Sequence, residues 1–265
     1  MRPLLLLLLA AGPVACVPQP VTWDETLTRT DGAIADTLRL AYDAGGAPVF
    51  VAAWTPPSWP AEPAACAASR QAVVTPQGEA YASWFAVRPD SSVVLRVARS
   101  DDGGGTWQAP VTADSTDVGT AGCARPAPFL AADSLNGYVH VAYHLVGREG
   151  AGLFFTHSME RGTLWHEPVP IVYGDRPSFA TVASRGDTVV VAYEDPNSRV
   201  PRLGLAVSRT QGHIFEARQA ASDDTGEARG PRVAVHGARV TLAWTATQRG
   251  GTRPRTVVRQ GTLDW

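Results

Sequence analysis

No lysine occurs in the 265 residues; all 23 basic side chains are Arg, against 25 acidic ones, for a net charge of −2. A chain this near neutrality lacks the basic field that nucleic acid or an anionic bilayer surface requires. The Arg bias is read as coding composition and carries no function. Cysteine is scarce, with three residues and no CxxC pair, and there is neither a Walker loop nor a G-x-S-x-G. Those gaps exclude the usual dithiol centre, phosphate loop and nucleophile elbow. No apolar run reaches the ~20 residues of a membrane-spanning helix; the longest is Leu4 to Ala11. Helical periodicity is missing after residue 20. Of the six histidines, His140 and His144 are four apart. On a strand that spacing puts them on one face ~13 Å from each other, too far to share an ion. The others are scattered in sequence, so neither metal nor cofactor is expected.

What the chain does have is turns: 25 Gly and 21 Pro, separating apolar β-branched runs. An alternating strand ending in a small residue and an aromatic recurs five times, closing at Trp54, Trp84, Tyr143, Tyr193 and Trp244. Each copy follows a Gly- or Asn-containing turn and an earlier apolar strand, the pattern of a β-hairpin. In three units a third strand follows, then a turn phrase, then a fourth strand. The phrase is clear at Ser100, Asp102, Gly104 and Trp107. It is worn at Ser158, Gly162 and Trp165, and again at Ser208, Gly212 and Phe215. Its copies start 58 and 50 residues apart.

Four antiparallel strands at a ~50-residue period predict a β-propeller blade. The fold expected is all-β, a propeller of about five four-stranded blades. A β-sandwich is the rival, but it needs no fixed period. The last unit stops after its third strand, and Trp23 to Thr28 supply a fitting fourth, so the N-terminal strand is expected to close the ring. The first blade is thin, with the segment from Trp59 left as its outer strand.

The Ser100–Trp107 phrase resembles the Asp box, or BNR repeat, of the sialidase superfamily, and the resemblance covers residues 21–265 at the level of fold. It implies that Asp102 and its companions are structural, on the face away from an active site. It also implies an arginine clamp for a substrate carboxylate, with a Tyr–Glu nucleophilic pair and an Asp acid. An Arg precedes the inner strand of four units: Arg70, Arg125, Arg176 and Arg229, the last with the R-x-P spacing. Guanidinium forks suit a carboxylate or sulfate, and these four are expected to converge at the channel mouth as an anion site. The other reading is that they hold loop carbonyls or neighbouring acids such as Asp175 and Glu227. Tyr193 and Glu194 adjoin, but strand neighbours face opposite sides. The family's six blades and full catalytic set are not visible, and the catalytic residues are unknown.

Residues 1–15 read as a signal peptide of lipoprotein type, 16–20 as a tether and 21–265 as the propeller. Val14-Ala15-Cys16 resembles a bacterial lipobox, which makes Cys16 the lipidated N-terminus. A plain secretory signal cleaved near Ala15 is the alternative. Cys66 and Cys123 then remain, either as a disulfide or as two buried thiols. The resulting expectation is an exported protein of the bacterial cell envelope, touching the membrane only through its lipid, with periplasmic or secreted location as the alternative. Its function is read as non-catalytic binding of an acidic glycan or an envelope protein. A divergent exo-glycosidase acting on an acidic sugar is the alternative, and an envelope assembly factor is the third possibility.

Overall fold

The computed structural model describes residues 19–223 and 225–264; Cys16 and the signal segment lie outside them. Among the described residues, eighteen strands and one three-residue 3-10 turn, Ala67–Ser69, make up the regular structure. No helix among them is long and apolar enough to cross a membrane.

The strands fall into five antiparallel sheets. Blade 1 is the hairpin β2 (Leu38–Tyr42) and β3 (Pro48–Ala52). Blade 2 runs outward as β4 (Gln71–Val74), β5 (Ala80–Val87), β6 (Val93–Ser100) and β7 (Val111–Asp114). Blade 3 is β8 (Phe129–Ala132), β9 (Val139–Gly147), β10 (Gly150–Ser158) and β11 (Val169–Tyr173). Blade 4 is β12 (Ala180–Arg185), β13 (Thr188–Glu194), β14 (Leu203–Ser208) and β15 (Ala217–Ala220). Blade 5 begins with β16 (Gly226–His236), β17 (Arg239–Gln248) and β18 (Pro254–Leu263). Its outer strand is β1 (Val21–Asp31), paired from Val21 with Leu263 to Asp31 with Arg255. The N-terminal strand therefore closes the ring and covers an edge that would otherwise recruit another chain.

One cavity of about 400 Å³ is lined by parts of β2, β4, β8, β12 and β16 together. Five inner strands around one axis define a propeller; two stacked layers cannot place five sheet edges around a single channel. Five apolar clusters fill the joints. Tyr81, Phe85 and Val97 meet Val139, Val141 and Tyr143 between blades 2 and 3. Phe155 and Ile171 meet Val189 and Val191 between blades 3 and 4. Leu203 and Leu205 meet Leu242 and Trp244 between blades 4 and 5. Because each blade is pressed from both sides, second strands such as β5 and β13 are buried almost throughout and do not alternate.

The thin blade is sealed differently from the expectation. No outer strand forms from Trp59; residues 53–64 are irregular. Pro56, Pro57, Pro60 and Pro63 remove the amide donors that a ladder needs. This segment instead caps blade 2, with Trp54 and Trp59 packed on the Ala82, Trp84 and Ala98 cluster. Cys66 and Cys123 form a disulfide with Cα atoms 5.3 Å apart. The Cys66 amide donates to the Phe85 carbonyl at 2.7 Å. The bridge thus ties the segment leaving blade 1 to the loop that enters blade 3, across the end of blade 2.

Candidate functional site

The two faces of the ring do different work. At Ser100, Ser158 and Ser208 the third strand of a blade ends, and each hydroxyl oxygen accepts the amide of the glycine four residues on, at 2.8, 2.9 and 3.0 Å. Asp102 adds a carboxylate that accepts from the Thr106 amide at 2.8 Å and the Ser100 hydroxyl at 2.7 Å. Those bonds, the Thr106 amide foremost, hold Asp102 down at about 2. In the third copy Thr210 replaces the acid, and its hydroxyl oxygen takes the Ile214 amide at 3.0 Å.

The glycines of these turns face an aromatic from the preceding blade. A Cβ on Gly104 would lie 3.0 Å from Trp54, one on Gly162 3.5 Å from Tyr81, and one on Gly212 2.4 Å from Phe155. The turn aromatics are anchored as well. The Trp107 indole donates to the Ser58 carbonyl and the Trp165 indole to the Gly162 carbonyl, both at 3.0 Å, while Phe215 meets Phe155 edge-on at 5.0 Å. All of these turns lie at the strand ends remote from the channel mouth, where inner strands begin.

At the mouth the four arginines do not come together. The Arg125 side chain is only 2% exposed and forms a two-point ion pair with the similarly buried Asp117 carboxylate, both bonds at 3.1 Å. Arg176 donates to the carbonyls of Ser198 and Asp195. Arg70 ends the 3-10 turn and lies over Trp59, 5.5 Å from the ring centroid. Arg229 alone of the four lines a cavity at the mouth, the one beside Arg232. Its guanidinium donates to Glu227 at 3.1 Å, with side chains 57% and 49% exposed. Asp175 takes no part in these contacts.

Two other arginines hold the mouth. Arg39 on β2 reaches across to β8 and β4, donating to the Leu130 carbonyl at 3.1 Å and the Gln71 side chain at 3.1 Å. Its guanidinium lies 4.4 Å from the Phe129 ring centroid. Arg232 on β16 donates to the Leu38 carbonyl at 2.9 Å and stands 5.3 Å from Phe179. Phe129 and Phe179 meet edge to face at 6.3 Å. The pair stitches the two-stranded blade to its neighbours, a task the missing strands would otherwise share. Burial, then the Arg232 charge, lowers Arg39 to about 10. Burial also lowers Arg232, against the opposing pull of Asp36 and Glu194.

Beside Arg232 opens a cavity of about 310 Å³ lined by Ile34, Asp36, Phe179, Glu194, Arg229, Gly230, Arg232 and Thr245. Asp36 approaches the Arg232 Nη2 at 3.7 Å. Glu194 accepts the Gly230 amide at 2.8 Å. Tyr193, its chain neighbour, points the other way into the blade 3–blade 4 core, and burial raises its hydroxyl. A larger groove of about 730 Å³ runs along the rim past Arg88, Phe154, Glu167 and Tyr173.

The histidines are not scattered in space. His157, His166 and His213 place one ring nitrogen each within 4.8 Å of the others on the turn face. No strand periodicity signals them, because they come from two blades. His140 is fully buried and held down to about 3 by burial, then by His157.

No family model matches the chain, and no match to it was found among curated proteins. Among solved structures it is similar to the Hadza microbial sialidase Hz136, at 21% identity and a TM-score of 0.49, over 71% of this chain and 43% of that one. A protein of unknown function from Dyadobacter fermentans DSM 18053 matches over 92% of this chain and 99% of its own, at 11% identity and a TM-score of 0.47. A thermostable family-43 glycoside hydrolase matches over 71% and 69%, at 13% identity and a TM-score of 0.42. The chain spans less than half the length of the sialidase. With every TM-score here below 0.5, the propeller assignment stands on the ring of inner strands itself.

Proposed function

We propose that this is an exported, lipid-anchored, sialidase-like propeller that binds an acidic glycan at the channel mouth without cleaving it. The observation that carries the reading is Arg229, a guanidinium on the cavity wall whose acidic partner, Glu227, is 49% exposed. An exposed pair of this kind is worth ~0–1 kcal/mol, so a ligand carboxylate can replace Glu227 at little cost. Arg232 presents a second guanidinium edge, and the Phe179 ring offers an apolar face to a sugar. Turnover is not favoured, because no tyrosine is among the cavity-lining residues. The disulfide fits an oxidising compartment. Lipidation at Cys16 rests on the lipobox resemblance.

The second reading, a divergent exo-glycosidase, is favoured by one fact: Asp36 and Glu194 face the same cavity. Paired carboxylates are what acid and nucleophile chemistry on a glycoside needs. Calorimetric titration with sialylated and uronic-acid oligosaccharides tests the binding reading. Arg229→Ala is expected to weaken binding at least 10-fold, and Tyr173→Ala, in the rim groove, to leave it unchanged. Loss through Tyr173 alone overturns the mouth as the site. Hydrolysis of fluorogenic sialosides or uronides that vanishes in Glu194→Gln overturns the non-catalytic reading.

A further inference from the structure

We propose that His157, His166 and His213 form a binding site for a first-row transition-metal ion, of which copper and zinc are the best suited. The site is built from the turn face and is independent of the channel mouth. His157 is the penultimate residue of β10, next to Ser158. The turn returns the chain so that the His166 amide donates to the His157 carbonyl at 3.0 Å. His213 arrives from blade 4. It follows Gly212, where an added Cβ would stand 2.4 Å from the Phe155 ring and collide with it. That contact clamps one turn onto the other and leaves the His213 ring centroid 4.6 Å from that of His157 and 5.1 Å from that of His166, with the His157 and His166 centroids 4.5 Å apart.

Three observations point to a ligand. His157 is 2% exposed, and neither of its ring nitrogens has a hydrogen-bond partner among the described residues. A buried polar group left unpaired forfeits its hydration without return, a penalty that a metal bond would remove. His166 and His213 are exposed, which leaves an entry path and freedom to turn. The donor nitrogens lie within 4.8 Å, and a tetrahedral centre with ~2.05 Å bonds needs them ~3.3 Å apart. The rings of His166 and His213 are stacked on His157, at 9° and 27° to it, so binding requires the two exposed rings to turn out of the stack until their in-plane nitrogens converge on the ion. The donor chemistry selects the ion. Imidazoles suit copper, zinc and nickel, whereas calcium and magnesium demand oxygen. The Met159 sulfur, 3.2 Å from the His166 Nε2, adds a soft donor on the copper side. With three imidazoles bound, the fourth position of a tetrahedral centre falls to the Met159 sulfur or to a solvent molecule.

Tag-free protein, stripped with a chelator and dialysed, is titrated with Cu(II) and Zn(II) by calorimetry, and the copper form is examined by electron paramagnetic resonance. One ion per chain is expected, with nitrogen hyperfine structure. The double variant His166→Ala/His213→Ala, both at exposed positions, keeps the circular dichroism and melting of the parent. Its affinity is expected to fall by more than the ~10–100-fold that loss of an outer-sphere partner causes. His157→Phe, which fills the same space, is expected to do likewise, and His236→Ala to change nothing. The proposal is overturned if neither ion binds stoichiometrically with a Kd below ~100 μM. It is equally overturned if affinity survives in the double variant.

Discussion

Replacing Gly212 with Ala puts the blade-joint geometry to a quantitative test. Its φ is +94°, and a Cβ there would stand 2.4 and 2.6 Å from two atoms of the Phe155 ring. Holding an L-residue in the left-handed region costs ~1–2 kcal/mol. Forcing a methyl group into a filled joint costs a further ~1–3 kcal/mol. The sum, ~2–5 kcal/mol, is separable into its parts by a control. Gly186 has a φ of +60°, and a Cβ there would meet nothing within 4 Å, so Gly186→Ala carries only the backbone part. Urea unfolding of the two variants should therefore differ by the steric part, ~1–3 kcal/mol. In the Phe155→Leu background the smaller side chain makes room, and Gly212→Ala should cost less than it does in the parent. Equal losses for Gly212→Ala and Gly186→Ala, with no coupling to Phe155, would show that the turn does not dock on the neighbouring blade.

Two further outcomes follow from the buried groups. Burial, then the charge of Arg125, holds His144 down to about 4. The unfolded chain takes up that proton near the ordinary 6.5, so this contribution to stability is complete above pH 6.5 and is lost as pH falls towards 4. The loss amounts to ~3 kcal/mol at most, and His144→Gln should flatten the stability–pH profile in that window without changing it above pH 7. The Cys66–Cys123 bridge spans 57 residues, and closing a loop of that length removes ~4 kcal/mol of unfolded-state entropy. Cys66→Ser/Cys123→Ser should lower the unfolding free energy by a comparable amount in urea. An unchanged midpoint would mean that the loop entering blade 3 is already restrained by other contacts.

The ring was legible because its signals are local and repeated. Each hairpin carries its own turn residues and its own terminal aromatic, and Trp23 to Thr28 read as the strand that blade 5 lacks. The thin blade was legible only in part. Its shortness shows in the close spacing of Trp54 and Trp84, but the four prolines outweigh the apolar pattern after Trp59. The mouth was harder to read. Arg70, Arg125, Arg176 and Arg229 occupy equivalent places in the repeat, yet three of them take local acceptors, with Asp117 claiming Arg125 from eight residues away, and Arg70 lies over the Trp59 ring. Arg39 and Arg232 stand inside strands, where a polar residue reads as the outward half of an alternation; here that half faces the channel. Alternation did separate Tyr193 from Glu194 as expected, one into the core and the other to the cavity. The three histidines were illegible for a different reason. Their proximity depends on how Gly212 meets Phe155 across two blades, which no spacing along the chain encodes.

The closure of the ring by β1 is the claim on which the channel, its mouth and the blade joints all depend. Thr30 lies directly opposite Thr256 of β18, 226 residues away in the chain. Thr30→Cys/Thr256→Cys, oxidised in dilute solution, should form an intramolecular disulfide in high yield. That bond should raise the unfolding free energy by ~5 kcal/mol, the entropy of so long a loop. Two cysteines that stay free, or that cross-link only between molecules, would contradict the ring.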